Sequence, residues 1–171
     1  MTYNLHPLFV HFPIALLLLY SLIKILPFRK WFPEVAWRHI EVVLLLTGIA
    51  GALAALLTGE LAERLARPDE KLVEMHSTFA DISTWLYGAL LLGEILSFLN
   101  PWLLLKFKPT KILSLSLFSE KVLTNSSFAK ILAVLGLLAI SVTGLLGGVM
   151  VYGLSADPVA KIILNLLGLG I

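Results

Sequence analysis

A chain of 171 residues that is 58% hydrophobic and 14% charged, with a mean hydropathy of +0.93, departs from the balance of a water-soluble domain and reads as an integral membrane protein. Its net charge of +2 is too small to point to a nucleic-acid partner. The absence of cysteine excludes disulfides, Cys-x-x-Cys-His haem attachment, iron–sulfur clusters and thiolate zinc sites.

Crossing about 30 Å of hydrocarbon takes roughly 20 apolar residues in a helix, and four stretches have that length. The first runs from about Pro7 to Phe28. Pro7 is tolerated at a helix start, whereas Pro13 is expected to loosen the first turns and free carbonyls near His11. The opening residues lack a basic region and no small-residue cleavage site follows, so this run is expected to be retained rather than removed as a signal. Pro27-Phe28-Arg29-Lys30-Trp31-Phe32-Pro33 forms a basic, aromatic turn suited to the headgroup level.

A second helix is expected over 34–59, dense in small residues through Thr47-Gly48-Ile49-Ala50-Gly51, with an amphipathic extension to Arg67 that stops at Pro68. Residues 69–75 read as a linker. The third crossing, 76–99, is expected to end at Asn100-Pro101-Trp102. Lysines alternate with Leu, Ile and Phe over 103–127, which suggests an amphipathic, interfacial inner loop rather than a fifth crossing. Asn125-Ser126-Ser127 has the form of an N-cap for the fourth crossing, 128–153. After Ser155-Ala156-Asp157-Pro158, the run Val159 to Leu167 is too short to span and is expected to form a short C-terminal surface helix. The expected fold is a single all-α domain, an integral membrane four-helix bundle.

With the N-terminus outside, nine of the thirteen lysines and arginines fall on the inner side, which favours both termini on the outer, periplasmic face of a prokaryotic cytoplasmic membrane. His39 then lies on the opposite side from the other three histidines. His6, Phe9, Leu16, Leu22 and Phe28 match His76, Phe79, Leu86, Leu92 and Phe98 seventy positions later, a 2+2 direct repeat. Thr47-Gly48-Ile49-Ala50-Gly51 and Thr143-Gly144-Leu145-Leu146-Gly147 are the corresponding echo in the second helices. Lys24 and Glu94, repeat-matched near the inner ends, are expected to pair.

Ionisable groups at a membrane helix mouth are costly to desolvate and mark a functional site. If the repeat is real, His76 and either His6 or His11 meet at one depth and could ligate a b-type haem, a cofactor that needs no cysteine, with Arg64 or Arg67 beside its propionates. Such a protein would move electrons between quinone and a periplasmic carrier, as a subunit beside other membrane subunits in the lipid bilayer. A second possibility is a transition metal held by His6, His11 and His76 with Asp81 or Glu60. Residues five apart on a regular helix diverge by about 140°, so His6 and His11 would share a metal only if the first turns unwound. A third is no cofactor at all: the histidines cap helix starts and the glycines pack helices in a structural subunit. No nucleophile elbow, phosphate loop or His-Glu-x-x-His is present, so no enzyme class is indicated.

The run His6-Pro7-Leu8-Phe9-Val10-His11-Phe12-Pro13-Ile14-Ala15-Leu16, with Thr58-Gly59-Glu60 and His76, resembles the signature of domain-of-unknown-function family 2231, prokaryotic membrane proteins of about four helices. The resemblance implies that these histidines recur as a set and implies no activity. The lysine-rich loop departs from the pattern and would suit a docking surface.

Overall fold

The computed structural model describes residues 6–66, 68–108, 110–155 and 158–169. Among these the chain forms seven helices and no strand: α1 (His6–Ile25), α2 (Phe28–Trp31), α3 (Trp37–Ala66), α4 (Glu70–Lys106), α5 (Lys111–Leu123), α6 (Ser126–Tyr152) and α7 (Ala160–Leu166). Helices α1, α3, α4 and α6 are each long and apolar enough to cross a membrane, as the composition requires. The protein is an all-α membrane bundle.

Local chemistry sets the helix ends. The Asp69 carboxylate accepts from the Lys71 and Leu72 backbone N–H groups, so α4 begins at Glu70. Residues 70–75, expected as linker, are therefore its first turns, and His76 sits inside the helix rather than at its start. At the other end α4 continues through Pro101 to Lys106 instead of stopping there. A proline removes one helix donor, and here the adjoining Asn100 is buried and tied to α5, which holds the chain helical beyond it. Pro13 likewise lies within an unbroken α1. Asn125 caps α6 as its sequence indicates, accepting from Ser127 and Phe128 N–H. The lysine-rich loop contains one helix, α5, and the short C-terminal helix is α7; Ala156 and Asp157, read as part of its start signal, lie outside the described residues.

Helix α1 packs on α3 and α4 packs on α6, while α1 also meets α6 and α3 meets α4, closing a four-membered bundle. The contacts inside the two pairs correspond. Leu17 fills a notch at Gly48, where a Cβ would lie 2.6 Å from it, and Tyr87 fills the notch at Gly136, where a Cβ would lie 2.9 Å away. Eleven residues towards the other end, the His6 ring lies against Gly59 and the His76 ring against Gly147. Eleven residues are close to three helical turns, so each helix presents the same face again. The repeat is thus a shift of seventy on the first helix of each half and of eighty-eight on the second. This corrects the echo of Thr47-Gly48 with Thr143-Gly144, which is two turns out of register; antiparallel packing, not the local match of letters, decides which glycines correspond.

The diagonal helices α1 and α4 meet across the bundle axis through long side chains. Buried Tyr20 and Tyr87 pack edge to face at 6.1 Å, and the Ser21 hydroxyl is 2.7 Å from the Tyr87 hydroxyl and donates to the Ala133 carbonyl at 3.2 Å. Near the lysine-rich end, buried Glu41 accepts from Lys24 at 2.9 Å and from Arg29 at 2.8 Å. Glu94 instead binds Arg38 at 3.3 Å. The expected Lys24–Glu94 pair is not formed because α3, the principal neighbour of α1, brings Glu41 to Lys24.

The glycine notches yield a direct test. Gly136→Val should overpack against the buried Tyr87 ring and cost about 1–3 kcal/mol, read as a lowered melting temperature in detergent. Gly88→Ala, where an added Cβ meets nothing within 4 Å in the interior of α4, should leave the melt unchanged or raise it slightly.

Candidate functional site at the histidine end

Two of the proposed site residues come together. His6, on the first turn of α1, and His76, two turns into α4, place their ring centres 6.5 Å apart across the bundle axis with planes at 76°. Both rings are half-buried. Each is held from the side by the second helix of its own half. The His76 Nδ1–H donates to the Thr143 carbonyl at 3.0 Å. His6 Nδ1 lies 3.1 Å from the Thr58 hydroxyl, whose oxygen is also 3.1 and 3.0 Å from the Ala54 and Ala55 carbonyls.

These bonds fix chemistry as well as position. A neutral imidazole that donates from Nδ1 carries its lone pair on Nε2. His76 is therefore in the tautomer used by a histidine that binds metal through Nε2, with the Thr143 carbonyl acting as the orienting outer contact. Gly147 and Gly59 supply the space: a Cβ would stand 3.3 Å from His76 Cε1 and 3.7 Å from His6 Cε1. Helix α7 covers one flank, with Ala160 and Leu164 packed against Leu72, Leu146 and Val149. The start of α1 and helix α7 thus share this end of the bundle.

The other proposed residues do not join the pair. His11 is exposed and its ring bonds the Pro7 carbonyl of its own helix. Because α1 stays regular through Pro13, His11 points away from His6, as a five-residue separation requires. Asp81 is exposed on α4 for the same reason. Glu60 faces solvent or lipid and lies 3.9 Å from Arg64, one turn along α3, both largely exposed. Arg67 lies outside the described residues. Among the described residues no group of three His, Asp or Glu is positioned to hold a metal ion. His39 is exposed near the start of α3, at the opposite end from the pair.

Sequence reasoning placed Thr58 and Gly59 in the family signature and Thr143 and Gly147 in the repeat echo, but gave none of them a role beside His6 and His76. The signal was present in the shared spacing of Gly48 to Gly59 and Gly136 to Gly147, which only the antiparallel register makes meaningful.

Two antiparallel helix pairs, related by an internal repeat and meeting at an imidazole pair, define the class: a four-helix integral membrane protein. The chain belongs to the family described as a predicted membrane protein, DUF2231, whose model matches residues 2–157. No curated protein and no solved structure matches it.

Nitrogen-15 spectra of histidine-labelled protein at neutral pH should show Nδ1–H, Nε2-lone-pair signatures for both His6 and His76. Thr58→Val should weaken the preference at His6 and leave His76 unchanged. An Nε2–H tautomer at His76 would contradict the Thr143 hydrogen bond.

Proposed function

We propose that His6 and His76 would hold a b-type haem, and that the protein is a one-electron carrier in the membrane, working between quinone and a redox partner at the histidine end. The observation that carries this reading is the facing pair itself, with Nδ1 of each ring already engaged. The two ring centres, 6.5 Å apart across the bundle axis, bring one imidazole from each half close enough to hold a single group between them. The donor count favours haem over a bare ion. Haem asks the protein for two donors, whereas a bare transition metal in an all-protein site asks for three or four, and His11, Asp81 and Glu60 are turned elsewhere.

When bound, haem would supply one-electron chemistry at a potential set by its axial ligands and burial. The chain's own residues have plain roles in this reading. Thr58 and the Thr143 carbonyl hold the rings at fixed tilt and raise the basicity of Nε2. Gly59 and Gly147 keep bulk away from the ring edges. Arg64, exposed on the extension of α3 beyond Gly59, would offer a cation to acidic substituents of the cofactor. The position of the pair near one end of the bundle would let a quinone or an external carrier approach the cofactor.

A second reading has its own support. Both rings lie against glycines and are hydrogen-bonded at Nδ1, so the pair also works as a clasp joining the halves of a cofactor-free accessory subunit.

The absorption spectrum of protein purified from haem-replete cells separates the two. The haem reading expects a Soret band and α band that sharpen on dithionite reduction, lost or shifted in His6→Ala and His76→Ala and retained in His11→Ala. Absence of haem absorption from the folded wild-type protein contradicts it and leaves the clasp.

A further inference from the structure

Helix α5 is docked inside out. Beyond the Arg38–Glu94 bridge α4 runs on from Ser97 to Lys106, about 14 Å at 1.5 Å per residue, and α5 returns antiparallel beside it. Asn100 faces Ser116 and Glu120, and Leu123 fills a notch at Gly93, where a Cβ would lie 2.8 Å from it. Polar groups do part of the joining: the fully buried Asn100 donates to the Glu120 carboxylate at 2.6 Å and accepts from the Ser116 hydroxyl at 2.5 Å. Large apolar side chains face outward, in a stripe of Ile112, Leu115 and Phe118 that continues at the tip in Leu105 and Phe107. Leu105 is 87% and Ile112 is 82% exposed. Such a surface is unfavourable in water and suits lipid chains, where a buried polar contact joins helices and the apolar faces look out.

The exposed charge around the hairpin has one sign. Lys106, Lys108, Lys111, Lys121 and Lys130 are all exposed, and among the described residues none forms an ion pair with a carboxylate. The carboxylate on α5, Glu120, is occupied by Asn100. A second copy placed face to face on this surface would set lysines against lysines, which like-charge repulsion opposes. A leaflet rich in anionic phospholipid complements both features, acyl chains for the stripe and phosphates for the lysines.

We propose that the α4–α5 hairpin is a foot embedded in the leaflet at the lysine-rich end, and that its lysines gather anionic phospholipid headgroups. The helix is too short to cross, about 20 Å for 13 residues, so it anchors without adding a span.

The lack of native cysteine makes unique labelling straightforward. Full-length Ile112→Cys and Leu115→Cys proteins, each carrying a nitroxide, are reconstituted in phosphatidylcholine vesicles with or without phosphatidylglycerol. The proposal expects relaxation by oxygen to exceed that by a water-soluble nickel complex at both sites. Nickel access equal to or above oxygen access would place the hairpin in water and overturn it. Protection from both, with spin–spin broadening, would mean a second copy covers the stripe, which also overturns it. The lipid preference is read by native mass spectrometry of detergent-released protein. Wild type should retain phosphatidylglycerol at least threefold over phosphatidylcholine, and the Lys106→Gln, Lys108→Gln, Lys111→Gln triple variant should fall to parity with an unchanged melt. Equal retention of the two lipids by wild type would refute the anionic selectivity.

Discussion

The close approach of two antiparallel helices at a missing side chain is the constraint on which the rest of the structure depends. Leu17 in the Gly48 notch and Tyr87 in the Gly136 notch fix the axial register of α1 on α3 and of α4 on α6. Lipid tails are as apolar as the helices, so no hydrophobic force between helices sets register in a membrane; shape and hydrogen bonding must do so. Once those notches are filled, a face that returns after three turns carries His6 to Gly59 and His76 to Gly147. The imidazole pair is a consequence of packing that begins in the middle of the bundle.

The polar groups then divide by depth. The middle of the axis holds Tyr20, Ser21 and Tyr87, with Ser21 and Tyr87 satisfied by one another and by a backbone carbonyl. The lysine-rich end holds Glu41, buried yet bound by two cations, one of which, Arg29, is more than half exposed, as a long side chain reaching outward from a buried partner can be. The histidine end holds two neutral rings, each with its Nδ1 partnered by its own half. No buried side-chain nitrogen or oxygen among the described residues is left without a partner, as a low-dielectric interior demands.

Much of this was legible in the sequence, for reasons that differ by element. The four crossings followed from length and apolarity, and Asn125 announced its helix because a capping side chain acts locally. His6 and His76 could be matched because the first helices of the halves keep their spacing. The second helices misled, since glycine is frequent enough there that Thr47-Gly48 and Thr143-Gly144 align by letter while the packing partners Leu17 and Tyr87 select Gly48 and Gly136. Pro101 misled in the other direction: a proline next to a polar residue reads as a stop, and only the tertiary contact of Asn100 with α5 carries the helix through it. The loss of His11, Asp81 and Glu60 from the site has one cause, the regularity of α1, α3 and α4, which turns side chains off the axis wherever the spacing departs from whole turns.

The central claim is that the two halves bring His6 and His76 together across the axis within one chain. Replacing both by cysteine in a protein that has none, and treating the membrane-embedded full chain with a short bifunctional thiol reagent, tests that juxtaposition whatever the pair binds. The account predicts an intrachain link joining the peptides of positions 6 and 76, and no such link for the paired exposed positions 11 and 81. A link at 11 and 81 but not at 6 and 76, or links formed only between chains, would contradict it.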